Sequence, residues 1–230
     1  MKLGARGYPH LLAEIPDPPK LLRVRGALPG SDTRRSAACL AIVGSRRPTA
    51  YGRRQAERFA RYFAEHGFEI VSGGARGIDA IAHRAALAAG GLTTAILGGG
   101  LGRVYPPEHA ALFDEIVGTG GCVASESPSD TPPRPALFPR RNRIVSGLSL
   151  GVLVIEAAAR SGALITARLA VEEHGRELMA VPGRLEDPKS AGCLRMLAEG
   201  WAAMVRTPEE ALESLGGAFA LLQAARTMPP

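Results

Sequence analysis

Short, continuous apolar runs alternate along this chain with stretches of helical periodicity, and that alternation constrains the fold more than any other feature. Cys39 to Val43 reads as a buried strand ending at Gly44. Ala56, Phe59, Ala60 and Phe63 then fall at i, i+3, i+4 and i+7, one face of a helix that Gly67 stops. Ile70 to Ser72 is the next strand, and Ile78, Ile81, Ala82 and Ala85 repeat the helical face before Gly90-Gly91. Thr94 to Leu97, Val123 to Ser125 and Gly151 to Ile155 continue the strands. A helix from about Leu164 to His174, closed by Gly175, precedes strands at Leu178 to Val181 and Ala203 to Val205. Strands apolar at every position must be covered on both faces. The reading is therefore α/β: a mainly parallel sheet with helices on both sides.

Composition narrows the class. With 46% hydrophobic and 22% charged residues in 230, the chain is long and apolar enough for one large folded domain. Residues 1–37 are rich in proline (Pro9, Pro16, Pro18, Pro19, Pro29) and read as an extended lead-in. Residues 38–215 then form the domain and 216–230 a tail. No apolar run reaches the roughly 20 residues of a membrane helix. Met1-Lys2-Leu3-Gly4-Ala5-Arg6 lacks the apolar core of a secretory signal, so a cytoplasmic protein with no membrane partner is expected. Cys39, Cys122 and Cys193 are widely spaced, which fits a reducing compartment and excludes the spacings of a zinc site. The net charge of +6 suits a polyanionic partner, although arginine-rich composition alone produces it too.

In open parallel sheets, ligands bind beyond the carboxyl ends of the strands. The residues there are Gly44-Ser45-Arg46-Arg47, Ser72-Gly73-Gly74-Ala75-Arg76-Gly77, Gly98-Gly99-Gly100, Ser125-Glu126, and Glu156 through Ser161-Gly162. Small residues ahead of a helix let backbone N–H groups approach an anion, so a phosphate-bearing ligand is expected along this edge. No loop reads G-x-G-x-x-G directly after the first strand, and no Gly-Lys-Ser/Thr occurs. A dinucleotide or nucleoside-triphosphate cofactor is not expected.

The sharpest cluster is Phe138-Pro139-Arg140-Arg141-Asn142-Arg143, behind a proline-rich loop from Glu126 to Pro139. Pro139 suits the opening of a helix, which places Arg140 and Arg143 on one face. Guanidinium forks pair with phosphates, asparagine reads a base edge, and a phenylalanine ring stacks on a base. A solvated basic helix start with Phe138 in the core is the competing reading. The five histidines show no metal-binding spacing, and no metal is expected. His83 lies four residues after Asp79, so a local pair accounts for both. Glu156 and Asp79 are the carboxylates best placed for catalysis.

These motifs resemble a known family. Ala41-Ile42-Val43-Gly44-Ser45-Arg46, Ser72-Gly73-Gly74-Ala75-Arg76-Gly77-Ile78-Asp79, Tyr105-Pro106, Phe138-Pro139-Arg140-Arg141-Asn142-Arg143-Ile144, Ser161-Gly162-Ala163-Leu164-Ile165-Thr166 and Val181-Pro182-Gly183 are similar, in order and spacing, to the DprA/Smf DNA-processing proteins of natural transformation. The resemblance implies an extended Rossmann-like fold and a cytosolic homodimer without enzymatic activity. Such a protein binds and protects incoming single-stranded DNA and loads the RecA recombinase onto it. It also implies a DNA site made of Gly44, Ser45, Arg46, Ser72, Gly73, Phe138, Arg140, Arg141, Asn142, Arg143, Ser161 and Gly162.

The chain departs from the family pattern at Gly74, at Gly102 and at Leu194, which stands where the family carries asparagine. A rival from another class is a nucleotide-processing enzyme of the phosphoribohydrolase type. Those enzymes use P-G-G-x-G-T-x-x-E, whereas Glu156-Ala157-Ala158-Ala159-Arg160-Ser161-Gly162 lacks the paired glycines and the downstream glutamate.

Overall fold

The structure, a computed structural model, describes residues 1–31 and 38–227, with side chains as far as residue 217. The parts of the expected lead-in and tail that fall at 32–37 and 228–230 lie outside the described residues. In chain order the elements are α1 (His10–Ala13), β1 (Arg23–Gly26), β2 (Cys39–Val43), α2 (Ala50–Glu65), β3 (Glu69–Ser72) and α3 (Ile78–Ala88). Next come β4 (Thr93–Leu97), α4 (Ala110–Gly118), β5 (Cys122–Ser125), α5 (Leu137–Gly147), β6 (Gly151–Val154) and α6 (Ala163–Arg168). The chain closes with β7 (Glu177–Ala180), α7 (Ala191–Ala198), β8 (Ala203–Met204) and α8 (Pro208–Thr227).

Among the described residues, eight strands form one sheet in the order β1-β5-β4-β3-β2-β6-β7-β8, parallel except for β1. The fold is the expected Rossmann-like α/β arrangement. Along β2, Cys39, Ala41 and Val43 point to one face, beneath α5, α6 and α7. Leu40 and Ile42 point to the other, beneath α2, α3 and α8. A strand with side chains in two cores must be apolar throughout, which is why β2 shows no polar alternation. From β2 the chain winds outward through β3, β4 and β5, then returns to β6 on the opposite side of β2. The crevice between the loops after β2 and β6 is the topological switch point, where such sheets take ligands.

Several expectations need correction. The lead-in is not merely extended: it contributes α1 and β1, and Leu12, Leu22 and Leu28 are buried in the core. β1 pairs antiparallel with β5, Arg23 opposite Ser125 and Gly26 opposite Cys122. Its Arg-Val-Arg sequence has one apolar residue, enough for an edge strand but too few to announce one. The expected boundary at 215 falls inside α8. The expected long helix from Leu164 to His174 is α6 followed by a π-helical turn, Leu169–Glu173. Helix α5 begins at Leu137, so Pro139 sits in its first turn rather than at its start. The expected Asp79–His83 pair is absent as well. His83 Nδ1 bonds Thr93 Oγ1 at 2.6 Å, while Asp79 accepts from the Ala75 N–H at 3.2 Å.

Candidate functional site

The loop after β2 is held from both sides by backbone. The Ser45 N–H donates to the Glu156 carbonyl at 2.7 Å, and the Ile78 N–H donates to the Ser45 carbonyl at 3.1 Å. Gly77 makes this possible. It adopts φ +79°, and a Cβ there would lie 2.2 Å from the Ser45 oxygen and 2.6 Å from the Arg46 carbonyl carbon. Only glycine satisfies both conditions. On the other side of the switch point, Glu156 accepts from the Thr49 N–H at 3.1 Å and from Thr49 Oγ1 at 2.5 Å. Thr49 Oγ1 in turn accepts from the Gly52 N–H at 3.0 Å and caps α2. Glu156 is therefore a strut between β6 and α2.

A second strut crosses beneath the loop after β3. The Arg141 guanidinium, only 7% exposed, donates to the carbonyls of Gly73 and Ile96. Burial pushes its pKa down to about 10, opposed by the nearby Asp79 charge. Burial likewise pushes the Asp79 carboxyl up, and the Arg141 charge and the Ala75 N–H pull it back. A Cβ on Gly73 would meet the Arg141 guanidinium at 2.4 Å, so the guanidinium lies flush against the backbone.

These struts shape a groove of about 680 Å³ along the carboxyl ends of β2, β3 and β6. Nine of the twelve expected site residues line it: Gly44, Ser45, Arg46, Gly73, Phe138, Arg141, Asn142, Ser161 and Gly162. Phe138 is half-buried and rests against Gly98, where a Cβ would sit 3.1 Å from its ring. The exposed Arg46 places its guanidinium carbon 5.4 Å from the Phe138 ring centre. Tyr105 lies 5.9 Å from the same ring, and Arg76 lies over Tyr105 at 5.7 Å. Arg76 is held by Glu108 through Nε at 2.5 Å and Nη2 at 3.0 Å. The result is two neighbouring rings flanked by two guanidinium groups, in the order Arg46, Phe138, Tyr105, Arg76, a surface suited to stacked bases and phosphates.

Ser72, Arg140 and Arg143 do not line this groove. The Ser72 hydroxyl is buried and donates to the Ile42 carbonyl at 2.6 Å. Arg143, 7% exposed, pairs with Glu126 at 2.8 Å and Asp17 at 3.0 Å, tying α5 to the lead-in. Arg140 is exposed, pairs with Glu126 at 3.2 Å and borders a neighbouring hollow. Tyr105 and Arg76 are functional candidates that sequence reasoning did not place in the site. Tyr105-Pro106 stood among the family motifs without a role, and Arg76 among the crest residues.

The whole chain up to residue 216 matches the family described as DNA recombination-mediator protein A. Protein Smf of Escherichia coli (strain K12) is 47% identical over 208 residues, 90% of this chain and 54% of that protein. The chain thus spans about half the length of that relative. The solved structure of DNA processing protein A from Streptococcus pneumoniae superposes with a TM-score of 0.82 at 38% identity, covering 93% of this chain and 72% of the other. DNA processing protein A from Helicobacter pylori, whose structure addresses its single-stranded DNA binding mode, superposes with a TM-score of 0.81 at 32% identity. That match covers 95% of this chain and 99% of the other.

Proposed function

Because the chain belongs to the DNA recombination-mediator protein A family, we propose that it binds single-stranded DNA in the switch-point groove. On this reading it protects the strand and, as a homodimer, delivers it to the RecA recombinase in natural transformation. The observation that carries the reading is Phe138, a half-buried ring with the Arg46 guanidinium across it and glycine-rich backbone on either side. A base stacks on such a ring whatever its identity, and guanidinium groups beside it meet the flanking phosphates. Binding without marked sequence preference follows.

The enzymatic alternative would rest on two carboxylates, of which Asp79 lines the groove. Glu156 is occupied by Thr49, and Asp79 lies buried beside Arg141. A salt-dependent titration with single- and double-stranded oligonucleotides, run beside a nucleotide-hydrolysis assay, tests the reading. Single strands are expected to bind, with affinity falling steeply as salt rises. A preference for duplex, affinity insensitive to salt, or turnover of nucleotide contradicts it.

A further inference from the structure

A second basic surface lies outside the groove, between the outer faces of α2 and α3. Arg54, Arg58 and Arg61 fall at i, i+4 and i+7 of α2, and Arg84 faces them from α3. All four are exposed, and they line a furrow of about 660 Å³ with Glu57 as its single acidic residue. Among the described residues, none of these arginines takes part in an ion pair. The side-chain hydrogen bond they do make, from Arg58 to the Arg206 carbonyl, is long at 3.5 Å. Arg54 and Arg58 are like charges at i, i+4 of α2, a spacing that costs stability, whereas Glu57 stands four residues before Arg61 and Glu209 of α8 lies near Arg58, so the furrow's lining carries a surplus of positive charge rather than a bare cluster.

The helices that line the furrow start beside loops that line the groove. Helix α2 starts directly after the Gly44–Thr49 loop, and α3 starts directly after Gly77, which packs on the backbone of Ser45 and Arg46. Both helices thus leave the rim of the groove and run down the outer face of the sheet. At a rise of 1.5 Å per residue, Arg54 to Arg61 spans roughly 10 Å of the path. The chemistry of the furrow differs from that of the groove. Its lining offers guanidinium groups and no aromatic ring, and suits phosphates without bases.

We propose that the α2–α3 furrow is a second contact surface for single-stranded DNA, holding phosphates of the strand after it leaves the switch-point groove. The proposal rests on the single-strand reading given above. It assigns the furrow no base contact and no role for strands short enough to fit within the groove.

The test compares the parent with an Arg54→Ala/Arg61→Ala/Arg84→Ala variant, using thymidine oligonucleotides of about 6 and about 30 residues at several salt concentrations. Unchanged melting temperature shows that the variant is folded, as exposed arginines without ion pairs lead one to expect. A milder Arg61→Gln/Arg84→Gln variant serves if it is not. The parent is expected to favour the long oligonucleotide beyond the gain from added binding registers. The variant should bind the short one like the parent and lose roughly tenfold on the long one. Its salt slope on the long oligonucleotide should be shallower by about two units, three phosphates at 0.7 each. Parent-like affinity and slope on the long oligonucleotide overturn the furrow while leaving the groove intact. A loss confined to a duplex of about 30 base pairs, titrated alongside, overturns it in favour of a duplex site. If the parent binds neither oligonucleotide, the reading of the groove fails first and the furrow with it.

Discussion

The two walls of the groove are made of different materials. The wall formed by the loops after β2 and β3 is mainly backbone, shaped by Gly73 and Gly77 and braced from below by Arg141, with Arg46 as the side chain it projects. The facing wall, at the start of α5, presents side chains: the Phe138 ring and the Asn142 amide. Arginines show the contrast most plainly. Arg140, Arg141 and Arg143 sit within four residues, yet Arg141 is a buried strut, Arg143 a tie to the lead-in and Arg140 a surface charge. Residue type does not set the role; burial does. Substitutions on the backbone wall should therefore act on stability, and those on the side-chain wall on binding.

The largest effect is expected at Arg141. Truncation in Arg141→Ala leaves two buried carbonyls unpaired and removes the charge beside Asp79, a loss of about 3 to 5 kcal/mol. Thermal or denaturant unfolding checks this, and a variant that melts like the parent breaks the distinction between the walls. Gly77→Ala comes next, at about 2 to 3 kcal/mol, because it combines positive φ with a clash against the Ser45 carbonyl. Its stability loss should appear in the same unfolding curves. Binding should weaken only as the loop after β2 shifts.

His83 offers a subtler probe of the braced side. The Thr93 hydroxyl donates to the Ile70 carbonyl, so His83 must donate through Nδ1, which leaves its buried Nε2 without a partner. Burial, with the charges of His109 and Arg141, pushes its pKa down from 6.5 to about 3. A lowered folded value means the unfolded chain takes up the proton first. Stability conferred by neutral His83 is complete above pH 6.5 and falls by up to about 1.4 kcal/mol per pH unit below it. Unfolding midpoints measured from pH 7.5 to 5 should drop, and the drop should be shallower in His83→Gln.

On the side-chain wall, Phe138→Ala should weaken single-strand binding by about 1 to 3 kcal/mol and leave the salt slope unchanged. Because the ring is half-buried, its removal should cost less stability than truncation of a core phenylalanine. A melting temperature that falls while affinity holds would make Phe138 a core residue and break the comparison from the other side. Arg140→Ala should have the smallest effect, below about 1 kcal/mol on binding, since its guanidinium is exposed, paired with Glu126 and outside the groove.

The sheet was legible in the sequence because strands buried on both faces announce themselves as apolar runs, and β2 matches its expected bounds to the residue. The crest glycines were legible for a related reason: several small residues on one edge have a shared cause. Three things were not readable. Strand β1 carries one apolar residue between two arginines and is defined by its pairing with β5, about a hundred positions away. Arg141 reads as surface charge until the fold brings it under Gly73 and Ile96, 68 and 45 positions distant. Glu156 reads as a free carboxylate and Asp79 as a partner of His83, and their actual partners, Thr49 and the Ala75 N–H, become visible only when loops close. In each case the missing term is a long-range or loop contact that no local periodicity encodes.

The central claim is that the strand lies across Phe138. Ultraviolet cross-linking of the intact chain to an oligothymidine, followed by mass mapping of the modified peptides, tests it without any substitution. Adducts are expected on Phe138 and its neighbour Tyr105, and should diminish as salt is raised and the strand is released. Adducts concentrated instead on Trp201, with Phe138 unmodified at saturating DNA, would contradict the account.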